Sequence, residues 1–500
     1  MTTQKWNSIR ARVTLITLGA AFMIGGPASA QTYTVTDLGT LGGGQSNGIA
    51  INAAGQVTGD ALTPSAEGHA FLFTSGVMTD LGTLGATYSR GHSINATGQV
   101  TGYFGRQDNT MGRAFLYSGG VMTDLGALGG RYSTGLAINE PGQVTGFAVT
   151  ADNVFRAFLY DSGVMRDLGT LGGANSWGNA LNTAGQVTGE SETAAGERHA
   201  FRYSDGVMTH LGTLGGTYSE GFAINDGGQV TGYSTTGDNN LHAFLYSNGV
   251  MKDLGTLGGT YSVGFAVNAA GQVTGDAATT AGGAEEHGFL YSGGVMTDLG
   301  TLGGTRSSAL AINARGQVTG WSTTASGIAH AFLYRGGALI DLNTLIPSGS
   351  GWILKVGNAI NDRGQITGWG TIDGENRAFL LTPIAPTMEA LVQQPIDVDG
   401  SSVFSAKRGV IPVKFMLSLN GTPTCQLPPA TMALTRTAIG SLGEIGESLY
   451  LAAADSGTSF RISDCQYVYN LPASSLGTGH YRVDIVVNGA VVGRAEFSIK

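Results

Sequence analysis

The sequence predicts an all-β protein: an eight-bladed β-propeller closed by pairing of its N- and C-terminal strands, then an immunoglobulin-like β-sandwich. Three observations carry this prediction. A phrase beginning Asp-Leu-Gly recurs at near-constant spacing. The array starts and stops out of phase with its own repeat. A C-terminal stretch lacks the phrase and holds both cysteines, Cys425 and Cys465.

The phrase begins at Asp37, Asp80, Asp124, Asp167, Asp253, Asp298 and Asp341, with His210 in the Asp place once. Spacings of 43 to 45 residues are those of repeat architectures. Each unit holds four strand-like pieces, short, rich in β-branched and aromatic residues and bounded by Gly, Asn and Ser. They are an A-I-N piece (Ile51 and its equivalents through Ile360), G-Q-V-T-G, A-F-L-Y and G-V-M-T-D-L-G. In N-x-x-G, as in Asn52–Gly55, an Asx side chain caps a tight turn and Gly supplies the left-handed position. A second Gly-bearing hairpin, such as Thr74-Ser75-Gly76, joins the last two pieces. Two hairpins per unit make a four-stranded antiparallel sheet.

Such a sheet fits a propeller blade or a coil of a solenoid, and the chain ends discriminate between them. The repeats open with Tyr33 to Gly39, a fourth strand without its first three, and close at Ala378 to Leu381, a third strand without its fourth. Pairing the two fragments completes an eighth unit and removes an unpaired edge, which a ring requires and a linear stack does not.

Residues 1–30 read as an export signal. Lys5, Arg10 and Arg12 precede the apolar run Val13 to Gly26 and the site Ala28-Ser29-Ala30, so cleavage is expected after Ala30. That run is shorter than the roughly 20 residues a membrane span needs, so no membrane span is expected in the mature chain. The protein is expected to be secreted, extracellular or at the cell surface. Charged residues are 12% and Gly is 82 of 500, as expected where sheets pack face to face. Residues 31–384 hold 15 Lys/Arg and 26 Asp/Glu; with no basic stripe, a nucleic-acid partner is not expected.

The triplet His-Ala-Phe recurs at His69, His199, His242 and His330, with His287 before Gly288 and with Arg113, Arg156 and Arg377 in the other units. Together with A-I-N-x-x-G-Q-V-T-G and D-L-G-T-L-G-G, over residues 31–384, this resembles the extracellular HAF-repeat family of bacteria. The closing copy, Asp341 to Pro347 with Gly351-Trp352, fits the same family. The resemblance implies secretion and supplies neither an enzymatic activity nor a ligand.

Residues 385–500 read as a second domain, after a short linker at Pro383 to Pro386. Strands are expected at Val410 to Leu419 and Ser448 to Ala453, with a hairpin of His480–Val487 and Ala490–Lys500 around Asn488-Gly489. Pro412-Val413-Lys414-Phe415, Tyr467 to Leu471 and Gly479-His480-Tyr481 resemble the PxKF module of bacterial exported proteins. In an exported chain Cys425 and Cys465 are expected to form a disulfide, since a metal site needs more Cys or His nearby.

For chemistry, the repeated His or Arg is expected to bond a neighbouring carbonyl or the Asp of the DLG phrase. Equivalent residues lie a whole blade apart, too far to share a metal ion. Candidate ligand positions are those that differ between units. The residue after G-Q-V-T-G is expected to begin the connection between second and third strands. It is Asp60, Tyr103, Phe147, Glu190, Tyr233, Asp276, Trp321 and Trp369. Tyr88, Tyr132, Trp177, Tyr218 and Tyr261 are expected beside them, from the loops between units. Ala174 to Trp177, where the copies disagree, is a further candidate. The unit from Asp341 to Leu381 departs most, with Trp352, Lys355 and Trp369, and is where a unique site is expected. No G-x-S-x-G, H-E-x-x-H or cofactor motif occurs. The expectation is therefore a non-enzymatic binding or adhesion scaffold whose partner is a polysaccharide or a surface protein. A carbohydrate-active hydrolase or lyase is the alternative.

Overall fold

The computed structural model describes residues 32–106, 112–283, 285–384, 387–397, 399–407, 409–419, 422–425, 428–438 and 455–500. The expected export signal with its cleavage site after Ala30, and the strand at Ser448 to Ala453, lie outside the described residues. The protein is all-β with a propeller-like arrangement of sheets, and no helix among the described residues is long and apolar enough to cross a membrane. It divides into two compact units, the first ending at Ile384.

The first unit repeats one sheet. Its first copy runs Ser46–Ile51, Val57–Leu62, Gly68–Thr74 and Val77–Asp80, all antiparallel neighbours. From inside outward these are the inner, second, third and outer strands of a repeat. Inner strands contact the inner strands of adjacent repeats, while outer strands are largely exposed. Single parallel bridges, Arg198–Tyr218 and Glu286–Arg306, join two pairs of sheets into eight-stranded ones.

The last repeat takes its inner three strands from Ile353–Ile360, Ile366–Ile372 and Glu375–Pro383. Its outer strand is Tyr33–Asp37. Asp37 stands opposite Phe379 in the register that sets Asp80 opposite Phe71 within one continuous copy. The third strand runs two residues further than expected, so Pro383 pairs with Tyr33 instead of starting a linker.

Each copy buries the same side chains. The Phe of His-Ala-Phe is fully buried in all eight, from Phe71 to Phe379, as are Val57 and its equivalents. Burying one such ring contributes about 2–3 kcal/mol. Close approach between copies rests on a glycine of the inner strand. A Cβ on Gly91 would come within 2.2 Å of Thr58 Oγ1, and one on Gly48 within 2.3 Å of Thr367 Oγ1. That threonine donates in turn to the Phe carbonyl of its own copy, as Thr58 does to Phe71 at 2.7 Å.

The N-x-x-G turn reaches beyond its own hairpin. Asn52 Oδ1 accepts from the Ala54 and Gln56 amides, and Gly55 sits at φ +86°. Meanwhile Asn52 Nδ2 donates to the Asn95 carbonyl in the next copy. Asn95, Asn139, Asn182, Asn225, Asn268 and Asn313 each repeat this toward the following copy. Asn361 donates to Asn52, so the series returns to its start. Every one of these bonds measures 2.8–3.1 Å, and all eight asparagines are buried.

The second unit packs two sheets on one core. Val413, Phe415 and Leu417 come from one sheet, and Val483, Ile485 and Phe497 from the other. Val410–Leu419 forms as expected, and the predicted hairpin turns at Asn488 (φ +50°) and Gly489 (φ +79°). Pro412 to Phe415 pairs with Tyr467 to Asn470, and the Phe415 and Tyr467 rings stack at 4.5 Å. Cys425 and Cys465 are disulfide-bonded.

Asn225→Ala removes one of the two donors to the Asn268 carbonyl, which keeps the Gly271 amide, and leaves the part-buried Gln229 amide without its acceptor. Such losses cost about 2–3 kcal/mol. The midpoint of urea unfolding should fall accordingly, whereas exposed Val250→Thr should shift stability by less than about 0.5 kcal/mol.

Candidate functional site

The variable positions after G-Q-V-T-G do not begin a connection. The second strand continues past them, and each faces an inner-strand residue across the ladder. The pairs are Asn47–Asp60, Arg90–Tyr103, Thr134–Phe147, Trp177–Glu190, Glu220–Tyr233, Val263–Asp276, Ser308–Trp321 and Val356–Trp369. The strand lengthens because the ladder to both neighbours continues for two or three residues. These side chains therefore form a belt at one end of the sheets, and all but buried Glu190 are half-buried.

Trp177 occupies a different register from the tyrosines grouped with it. Tyr88, Tyr132, Tyr218 and Tyr261 align with Asn175, two residues earlier. Trp177 instead stacks on Phe155 of the preceding copy at 5.7 Å, under the Arg198 guanidinium at 4.7 Å. Ser176, inside the stretch expected to face outward, is fully buried and bonds Gly169 and Ala157.

The three belt carboxylates each reach the next copy's inner strand. Asp60 pairs with Arg90 at 3.2 Å. Asp276 accepts from the Ser308 hydroxyl at 2.8 Å and the Ala309 amide at 3.0 Å. Glu190 accepts from the Tyr218 hydroxyl at 2.6 Å, and that hydroxyl lies 3.1 Å from Glu220. Burial raises all three carboxyls, and it pushes Asp276 up to about 6. Tyr233, in contact with Glu220 at 3.0 Å, is pushed up to about 12, mainly by burial. Much of the belt thus pins adjacent copies together.

Two belt tryptophans behave differently. Trp321 is half-buried opposite Ser308. Trp369 lines a cavity of about 190 Å³ between the last and first copies, with Gln45, Asn47, Asp60 and Asn376. Trp352, expected as a contact, is only 8% exposed and packs edge-on against Phe379 in the apolar core. Its indole fills the space beside the buried Leu342 and Leu354, so it belongs to the packing of the closing copy.

The repeated His or Arg binds its own unit's DLG aspartate. His69, His242, His287 and His330 lie 2.7–2.9 Å from Asp80, Asp253, Asp298 and Asp341. Arg113, Arg156 and Arg377 make longer pairs, the last with Asp37 across the chain ends. Each such aspartate also holds the turn that follows, as Asp80 accepts from the Gly82 amide at 2.7 Å. The fourth copy sets His199 against His210 instead.

One set of residues was missed from sequence. The position after the inner-strand glycine is His92, Asn179 or Asn358 in three copies. Each donates to the part-buried backbone carbonyl of the next copy's inner-strand glycine, at 2.8–3.0 Å. Burial lowers His92 to about 4, so its imidazole is neutral. The variability of this position, just before the A-I-N piece, was the available signal.

Comparison with protein-family models and with curated proteins finds no match. Among solved structures the chain is similar to TolB from Acinetobacter baumannii, at TM-score 0.30 and 11% identity, covering 48% of this chain and 64% of that one. It is similar to Porphyromonas gingivalis dipeptidyl peptidase 4, at 0.39 and 10%, covering 72% and 59%. A fucose-specific lectin from Aleuria aurantia matches at 0.27 and 16%, covering 51% and 95%. The chain spans less than two thirds of the length of the first two.

Asp276 supplies a pH test. Its folded value of about 6 exceeds the ordinary 3.8, so the folded state keeps a proton that the unfolded state has lost. Stability should therefore fall as pH rises from about 4 to 6, by on the order of 3 kcal/mol. Asp276→Asn should flatten that slope and raise the unfolding midpoint at pH 7.

Proposed function

We propose that the eight four-stranded copies close into one eight-bladed propeller, followed by an immunoglobulin-like sandwich, in an exported protein that binds saccharides without turning them over. Membership of the HAF-repeat family and the PxKF identity of the second unit belong to the same proposal. The observation that carries it is the cavity at the seam between last and first copies. An indole face at Trp369, the Asp60 carboxylate and the amides of Gln45, Asn47 and Asn376 converge on a space fit for one sugar ring. Apolar sugar faces stack on aromatic rings, while carboxylate and amide groups exchange hydrogen bonds with hydroxyls. Spacing or attachment is the role left for the sandwich unit.

The alternative, a glycoside hydrolase, draws on a different place. Glu190 and Glu220 flank the single Tyr218 hydroxyl. Two carboxylates that close resemble the pair of a retaining glycosidase, which stand about 5–5.5 Å apart. Glu190 is only 7% exposed, however, and its carboxyl is held between copies, which favours a structural pin.

Trp369→Ala should weaken binding to a captured polysaccharide about tenfold, ~1.4 kcal/mol, with little change in thermal midpoint. Failure of the wild-type chain to retain any member of a broad glycan array would remove the binding reading. Release of reducing ends by wild type, lost in Glu190→Gln, would establish the hydrolase instead.

A further inference from the structure

The repeats provide an internal standard, because eight copies show what each position needs for folding. Against that standard, three exceptions meet in one place. The second residue after G-Q-V-T-G is Ala, Ser or Gly in seven copies and Phe104 in the second. Two residues further on, six copies carry Thr, from Thr63 to Thr324, and the second copy carries Arg106. The position two before the inner-strand serine is Thr87, Thr217, Thr260 and Thr305 in four copies, Gly44 and Ala174 in two, Trp352 in the closing copy, and Arg131 here.

These substitutions give up structural bonds. Thr63, Thr193 and Thr236 each accept the amide four residues on and close the connection to the third strand. An arginine cannot accept. What it gains is a shared cavity of about 610 Å³, lined by Phe104, Arg106, Arg113 and Arg131 with Thr87 and the small residues Gly85, Ala86, Gly105 and Gly112. Phe104 stands directly across the ladder from Arg113. Arg113 pairs at 3.7 Å with Asp124. Arg106 and Arg131 are exposed, and among the described residues neither has a carboxylate partner.

We propose that this cavity binds the acidic residues of an anionic polysaccharide, a uronate carboxylate or a sulfate ester. The proposal rests on the saccharide-binding reading and names the chemical class. Residues 31–384 carry 26 acidic against 15 basic side chains, so the general field repels anions and any attraction must be local. Guanidinium forks suit planar or tetrahedral oxyanions bidentately. The Phe104 ring offers the apolar surface that a pyranose face covers and a simple anion does not. The volume lies within the usual range of ligand pockets, about 300–1,000 Å³, and takes more than a single ion.

The test uses the full chain and returns the exceptions to residues the other copies already fold with, Arg106→Thr with Arg131→Thr, and separately Phe104→Ser. Probes are polygalacturonate, the same polymer fully methyl-esterified, and polyglutamate. Wild type should prefer polygalacturonate over its ester at least tenfold, with affinity falling as salt rises. The double arginine variant should abolish that preference and Phe104→Ser should weaken polygalacturonate binding, while Val250→Thr, on an exposed outer strand, should leave both unchanged. Equal affinity for the acid and ester polymers, or no binding of polygalacturonate, would overturn the proposal. Binding of the ester alone would do so while leaving saccharide binding standing. Polyglutamate bound as tightly as polygalacturonate would overturn the saccharide assignment.

Discussion

One asparagine per copy does two things at once, and the first unit depends on both. Its carbonyl oxygen shapes the hairpin between inner and second strands, and its amide nitrogen satisfies a buried backbone carbonyl of the next copy. The inter-copy bond is buried, where an unmet polar group costs about 1–3 kcal/mol, and the turn bonds are part-buried. The two demands fix turn shape and spacing together. A copy cannot slide or tilt against its neighbour without breaking this buried inter-copy bond. The small inner-strand residue, Gly91 against Thr58 for example, allows the approach that these bonds require.

The ends of the array meet the same condition. Asn361 donates to Asn52, and Ala378 donates to Ser46 across the same seam. Tyr33–Asp37 supplies the outer strand that the last copy lacks. The junction before the last copy differs. Leu354 stands where other copies have their serine, and its amide goes to Asn343 Oδ1. Trp352, Leu342, Leu345 and Ile346 fill the resulting space with apolar contacts. The divergence at Trp352 and Leu354 thus serves packing.

Against such regularity, departures separate into two kinds. Some still serve the assembly: Asp60, Glu190 and Asp276 reach the next inner strand, and the Phe155–Trp177 stack bridges two copies. Others abandon a bond that their equivalents make, as Arg106 does, or line open space, as Trp369 does. The second kind is the better guide to function, because folding alone gives no reason for it.

The sequence by itself determined the period, the four strands of each copy, their hairpins, the pairing of the chain ends and the His/Arg–Asp link. These follow from local turn chemistry and from repetition, both visible along the chain. It also led to the Pro412–Phe415 strand and the cysteine pair. It misplaced what depends on neighbours in space. Whether a belt residue faces solvent or the adjacent copy is set by the width of the gap between sheets. Strand length after G-Q-V-T-G is set by pairing on both sides, and the fate of Trp352 by the loss of one serine. Only the tertiary structure decided that Phe104, Arg106 and Arg131, from two successive copies, surround one cavity. Their side chains meet across a junction that no periodicity in one dimension records.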